Sequence, residues 1–312
     1  MFQGGWAVQL FFCISGLLVF GSLQRRRETE KKPLRNFLIR RVFRIVPLWW
    51  AILIIQYFRG GLGLDVLFAN MFFYFGFLSF NPAYMPITRA WSLFVEESFY
   101  WLLPLIVKSL EKNANILRWF LGTAIFAILW QQKASAWGVP NDNYFIGRSP
   151  LANIQFFFLG MLLYHIHLST YYMEKVKSFA GNSSLTWLDL FALVSFGMFA
   201  FDIVIPPEVS IFLIVLATLT SGTLAQRFFS NRFLKWVGVR CYGVYLISAI
   251  CIGPLMPFSG FVLTSLFKDF PPAEVAILFL FPIHAAVSLI LAWVSYKFFE
   301  RPLQALGERL LS

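Results

Sequence analysis

Acid is sparse in this chain. Asp and Glu together number 15 in 312 residues, against 26 Lys and Arg, and charged residues of both signs make up only 13%. A chain so poor in charge, 59% hydrophobic and with a mean hydropathy of +0.69, cannot be a water-soluble globular domain, because one core cannot hide that much apolar surface. Cysteine is scarcer still. Cys13, Cys241 and Cys251 fall singly inside apolar stretches, where thiols act as small packing residues rather than as disulfides or ligands. The three histidines have no Cys or His partner at metal-ligand spacing, so no metal is expected. No Gly-rich phosphate loop follows a strand pattern, strand signals are absent, and no repeat of fixed period is visible. No soluble domain stands at either end.

What is present is apolar sequence in pieces of membrane-crossing length. A helical span needs about 20 apolar residues, and nine stretches qualify: 4–24, 45–59, 91–108, 115–132, 150–168, 186–205, 208–226, 236–256 and 273–298. The one at 45–59 is short and is expected to begin within the basic segment before it. A tenth stretch, 66–80, is also short and ends in Asn81-Pro82. The cations decide its role. With nine spans, one side collects the nine Lys and Arg of 25–44 together with Lys108, Lys112, Arg118, Lys175, Lys177, Arg227, Arg232, Lys235, Arg240, Lys297, Arg301 and Arg309. The opposite side keeps Arg59, Arg89, Lys133, Arg148 and Lys268. Cations concentrate on the cytoplasmic side of membrane proteins, which makes the first set cytoplasmic. A tenth crossing would flip every later loop and erase the asymmetry. The expected fold is therefore an all-α polytopic integral membrane helix bundle, about nine transmembrane helices plus one re-entrant or interfacial segment, forming a single domain over 1–312. The net charge of +11 follows from topology and anionic headgroups, so no nucleic acid is expected as a partner; the lipid bilayer is. Met1 is placed outside, with no charged n-region and no evident cleavage site, which argues against a signal peptide.

Against this background Glu96 and Glu97 stand out, two adjacent carboxylates at the start of an apolar run reaching Val107. At about 1.5 Å per helical residue they lie roughly 8–9 Å beyond Trp91. A charge near the centre of a span costs on the order of 2.5–3.5 kcal/mol, less near an end. The pair points to a polar cavity, a buried cation or a proton-handling site; an interfacial pair satisfied by backbone and water is the plainer alternative. Arg40, Arg41 and Arg44 have the i,i+3 and i,i+4 spacing that puts guanidinium groups on one helix face, suited to bidentate phosphate contacts. Positive-inside anchoring accounts for them equally. His284, two residues after Pro282 in the last span, is a candidate base by its depth and equally a partner for a carbonyl freed by the proline. His165 and His167 are placed at headgroup level. Glu300-Arg301-Pro302 reads as a staple at the end of the last span, where Pro302 stops the helix and Arg301 or another cation compensates the glutamate. Ser15-Gly16 serves either close helix packing or a channel lining.

Four segments in order carry a resemblance. They are Gly5 to Gly16 (GWAVQLFFCISG), Phe37 to Trp50 (FLIRRVFRIVPLWW), Trp91 to Tyr100 (WSLFVEESFY) and Phe298 to Leu303 (FFERPL). Together they resemble the membrane acyltransferase 3 family, whose members carry GVxLFFxxSG, RRxxRIxPLY, WSLxxEExFY and a terminal FxExP over about 300 residues. The resemblance implies an integral enzyme, in the bacterial inner membrane, that moves an acyl group, often acetyl, from cytoplasmic acyl-CoA. The acceptor would be a hydroxyl of a surface glycan, a lipid-linked sugar or a glycosylated metabolite. On this reading Arg40, Arg41 and Arg44 hold the CoA phosphates and Glu96 and Glu97 serve the reaction cavity. Ser15, Trp91, Tyr100, Glu300 and Arg301 belong to the cavity or its framework. The family's catalytic His belongs to an earlier span, so the domain is expected to be incomplete at its N-terminus. Gln9 stands where an acidic residue is usual, and CYGVYLIS at 241–248 resembles SYxxYLxH with Ser248 in the His position. An inactive scaffold of the same family, or a transporter or flippase for a lipid-linked saccharide, are the rival readings.

Overall fold

The computed structural model describes residues 5–73, 90–110, 113–134, 136, 143–181, 185–200, 206–250 and 273–311. Every regular element among them is helical. The second half of the 66–80 stretch, the 257–270 loop and Cys251 lie outside the described residues.

The centre is a pair of helices pressed together along their lengths, α1 (Gly5–Arg27) and α7 (Pro150–Leu168). Glycine makes the approach possible from both sides. A Cβ on Gly16 would collide with the backbone of Phe157, and one on Gly160 with the carbonyl of Cys13. Where backbones come this close, packing and interhelical contacts replace the hydrophobic effect that lipid cannot supply. Phe157 then stacks on Phe12 at 5.0 Å and on Phe99 at 4.1 Å, which brings in α4 (Trp91–Ile106). α5 (Asn113–Lys133) lies on the far side of α7, with Trp119 stacked on Phe158 at 5.5 Å.

α2 (Pro33–Phe58) starts in the basic segment, as expected for the short 45–59 stretch, and runs through Pro47 without ending. Its tryptophans hold α3 (Leu64–Met71), Trp49 Nε1 donating to Asn70 O and Trp50 Nε1 to Met71 O, each at 2.9 Å. The short α6 (Asn143–Arg148) leads into α7, which is followed by α8 (Thr170–Ala180). α9 (Trp187–Ala200) and α10 (Pro207–Leu219) form a packed pair. α11 (Leu224–Phe229) and α12 (Arg232–Val239) precede α13 (Cys241–Ile250). α14 (Ala273–Ser295) completes the apolar helices and is followed by α15 (Arg301–Glu308).

Among the described residues, three helical stretches are long and apolar enough to cross a membrane, Gly5–Arg27, Ile146–Leu168 and Leu280–Glu308. The bent pair α12 and α13, at 69° to each other, makes a fourth. The nine expected stretches all contain helix, but most are shortened or interrupted. α2 carries its arginines in its own first half, α4 passes into a 3-10 turn at Val107–Leu110, and α9 and α10 have 14 and 13 residues. The expected stop at Pro302 is not observed. A five-residue π-helical turn, Tyr296–Glu300, carries the chain into α15, where Pro302 sits in the first turn. Proline is tolerated there because that N–H has no intrahelical partner to lose.

Polarity is inverted relative to a soluble protein. Ser15, Glu96, Glu97, Gln155, Asp189 and Glu300 are buried, while Leu18, Leu105, Ile125, Leu193, Phe281 and Ile290 are exposed. An apolar exterior over a partly polar interior is what a lipid solvent selects.

Candidate active site

Glu96 is where four helices converge. Its Oε1 accepts from Ser15 Oγ of α1 at 2.9 Å and from Tyr100 OH, one turn on in α4, at 3.1 Å. Ser15 is thus a wall of the site, while its neighbour Gly16 makes the close packing; the two roles suggested for the dipeptide are divided between the two residues. On the other side of Tyr100 stands Arg41 of α2, its guanidinium carbon 5.2 Å from the Tyr100 ring centroid and 5.6 Å from that of Phe37. Ser15, Glu96, Tyr100 and Arg41 form one line of contact across α1, α4 and α2. Glu97 is buried beside Glu96, with Oε1 unpartnered.

Three hollows meet along that line. The first, about 220 Å³, is a basic mouth lined by Arg26, Arg40, Arg41, Arg44, Gln304 and Glu308 among others. The second, about 370 Å³, shares Arg41 and Arg44 with the mouth and is otherwise walled by Ser15, Glu96, Tyr100, Cys241, Tyr242 and apolar residues of α1. The third, also about 370 Å³, shares Phe11, Glu96, Cys241 and Tyr242 with the second and continues to Ser92, Tyr245 and Ser248. Among the described residues, Glu96 is the acid that lines both inner hollows.

The three arginines of one motif do three different things. Arg40 makes a bidentate pair with Glu30 at 2.9 and 3.0 Å, in the turn between α1 and α2. Arg26 and Asn36 bind the same carboxylate at 3.2 and 3.0 Å. Burial pushes the Glu30 carboxyl up, but these donors outweigh it and hold it below the usual carboxylate range. Arg41 is stacked as above, and Arg44 is exposed at the junction of mouth and middle hollow.

The CYGVYLIS segment forms the opposite wall. Tyr242 OH donates to Ile45 O at 2.7 Å, and Tyr245 OH bonds Ser92 Oγ at 2.7 Å, so α13 is pinned to α2 and to α4. Ser248 Oγ is bonded to Tyr245 O at 2.9 Å. Glu300 belongs to this wall. It is buried, accepts from Ser295 Oγ at 3.0 Å, and lies so close to Gly243 that a Cβ there would sit 2.7 Å from its Oε1. The cations in its electrostatic surroundings are Arg44 and Arg240. Arg301 is exposed, and among the described residues no cation makes an ion pair with Glu300. Trp91 closes the far end of α4, edge-on to Phe12 at 6.0 Å and beneath Arg148 at 5.7 Å.

None of the three histidines lines these hollows. His284 Nδ1 lies 2.8 Å from Leu280 O, on its own helix above Pro282. Tyr242, Gly243 and Tyr245 entered the sequence reading only as part of the CYGVYLIS segment, with no role of their own. Glu30 was not singled out.

A family model described as an acyltransferase domain, acyltransferase 3, matches residues 1–297. The chain belongs to this family. Its similarity to the peptidoglycan O-acetyltransferase OatA of Listeria monocytogenes serovar 1/2a (strain ATCC BAA-679 / EGD-e) is 24% identity over 336 aligned positions, 98% of this chain and 52% of the relative. The chain thus spans about half the length of the curated relative it matches. No solved structure matches it. Residues of the first three motif segments of this acyltransferase domain line the hollows described above, and Glu300 of the fourth packs against Gly243 in the wall behind them.

Proposed function

We propose that the chain is a multi-pass O-acyltransferase of the bacterial inner membrane, using nine spans to carry an acetyl group from cytoplasmic acyl-CoA to a hydroxyl of a glycan. The observation that carries this reading is the run of three hollows joined by shared residues, Arg41 and Arg44 at one junction and Glu96 at the other. The basic mouth fits the pyrophosphate and 3′-phosphate of CoA, with Arg44 and Arg41 as donors and Arg40 held in place by Glu30. The apolar walls of the middle hollow, Phe11, Ile14, Leu18 and Ile45, suit the pantetheine arm and its thioester.

The acceptor hydroxyl enters from the third hollow, where Ser92, Tyr245 and Ser248 offer hydrogen bonds. Its oxygen attacks the thioester carbonyl carbon; the C–O bond forms, the C–S bond breaks, and the proton passes from the hydroxyl to the departing thiolate. Glu96, at the meeting point, relays that proton from the hydroxyl to the thiolate. Arg41 and Arg44 lie on the side where negative charge develops. A peptidoglycan-type sugar is the acceptor favoured by the OatA likeness.

The test uses the full-length protein in proteoliposomes, with acetyl-labelled CoA outside and a soluble glycan enclosed. Label should appear covalently on the enclosed glycan, and Glu96→Gln should abolish it. Glycan movement across the bilayer with no label attached would place the protein among transporters and overturn the proposal.

A further inference from the structure

A second pair of hollows lies away from the reaction path, on either side of α11. One, about 200 Å³, is polar and is lined by Lys177, Thr186, Ser221, Thr223 and Arg227, with Gly181 and Gly222 in its wall. Both glycines have φ in the left-handed region, 77° and 96°, which removes side chains from the rim and leaves the backbone turned around the hollow. The other, about 420 Å³, is apolar, with Trp6, Leu10, Leu193, Phe196 and Ile214 among its walls. One short helix divides them. Thr223 and Arg227 face the polar hollow, while Leu224, Ala225, Phe228 and Phe229 face the apolar one.

The partition is held by Asp189. Its carboxylate accepts from Thr186 Oγ1 at 2.7 Å and from the backbone N–H groups of Thr186, Leu224 and Ala225 at 3.2, 2.9 and 3.0 Å. Those donors satisfy the acid without either cation. Among the described residues Lys177 and Arg227 make no ion pair, and no acidic side chain lines their hollow. They come from helices 50 positions apart in sequence, so their convergence is a product of the fold. Both belong to the cation set assigned from sequence to the cytoplasmic face. Next to them is an apolar hollow whose rim residues Leu193, Phe228 and Phe229 are exposed on the lipid-facing exterior.

We infer that the two hollows bind one anionic phospholipid, its phosphate between Lys177 and Arg227 and an acyl chain in the apolar hollow behind α11. Two cations and a free serine hydroxyl complement a phosphodiester, while the chain fills an apolar cavity that water would leave dry. Bound in this way the lipid ties α8 to α11 and covers the joint made by Asp189. This site is separate from the proposed acyl-transfer route and stands independently of it.

The experiment is native mass spectrometry of the full-length protein in detergent, titrated with dioleoyl phosphatidylglycerol, with dioleoyl phosphatidylcholine and with inorganic phosphate. Lys177→Gln with Arg227→Gln should weaken phosphatidylglycerol binding by about fivefold per lost cation. Leu193→Trp, which fills the apolar hollow, should weaken it with the cations intact. A control pair on the same face, Arg232→Gln with Lys235→Gln, should leave it unchanged, and all variants should elute as wild type on gel filtration. Equal weakening by the control pair would reduce the site to general electrostatics and overturn the proposal. So would equal affinity for the two lipids. Displacement of the lipid by inorganic phosphate, with no effect of Leu193→Trp, would make it a free-anion site and overturn it as well.

Discussion

Asp189 and Glu96 are both acids buried among apolar helices, and their surroundings differ in kind. Asp189 accepts four hydrogen bonds, three of them from backbone N–H groups, and closes the joint between α9 and α11. Glu96 accepts two, both on Oε1 and both from side chains, and it borders two hollows. A carboxylate whose lone pairs are filled by the backbone is a structural tie, because moving a proton or a ligand there would cost the bonds that hold the chain. A carboxylate half filled by hydroxyls, with a hollow on either side, retains capacity for a substrate. The comparison separates an acid committed to the fold from one with capacity left over, which is the acid the proposed function puts to work.

The largest effect expected is at Glu96, the acid of the proposed reaction. Glu96→Gln keeps the shape and the contacts to Ser15 and Tyr100 but removes the charge, so acyl transfer should fall by about 10²–10⁴-fold. The thermal midpoint in detergent should stay near that of wild type. A protein that loses its fold instead would make Glu96 another Asp189 and break the comparison.

The mirror experiment is Asp189→Ala. Donors on Thr186, Leu224 and Ala225 lose their acceptor, and unfolding free energy in micelles should drop by about 2–4 kcal/mol. Specific activity of the fraction that remains folded should be unchanged. A fall in turnover without a fall in stability would reverse the two roles.

The basic mouth sharpens the contrast further. Arg44 faces the junction with no acid bonded to it among the described residues, whereas Arg40 is committed to Glu30. Arg44→Gln should raise the KM for acyl-CoA by about tenfold, in line with ~1.5–3 kcal/mol for a hydrogen bond to a charged group, with little change in kcat. Arg40→Gln should act chiefly on stability. Equal KM effects from both would show that the mouth works as diffuse positive charge.

The smallest effect is a pH slope. Glu30 titrates below its unfolded value because its hydrogen bonds outweigh its burial. It therefore contributes stability that is fully present above the unfolded glutamate pKa, about 4.3. That contribution is lost as pH falls through the lower folded value. The contribution is on the order of 1 kcal/mol or less at this partly exposed pair. Melts between neutral pH and pH 3 should show a shallower acid decline for Glu30→Gln than for wild type.

Much of this site was legible before folding. Glu96 and Glu97 announced themselves because charge is costly within an apolar run, and the arginine spacing put three cations on one helix. The Glu30 clamp was not legible. An acid in a basic turn can pair with any of nine cations between positions 25 and 44, and local pattern does not choose among them. Nor was the helix through Pro302, since a π-helical turn depends on what packs beside it: here Glu300 against Gly243.

The amino-acid sequence by itself determined the helical class, the lipid solvent and the family. These follow from composition, from runs of apolar residues and from motifs of fixed local spacing. The tertiary structure alone decided which residues share a cavity. Ser15 reaches Glu96 across 81 positions and Tyr242 reaches Ile45 across 197. Such contacts depend on where glycines let helices approach and on which hydroxyl finds an acceptor when water is excluded.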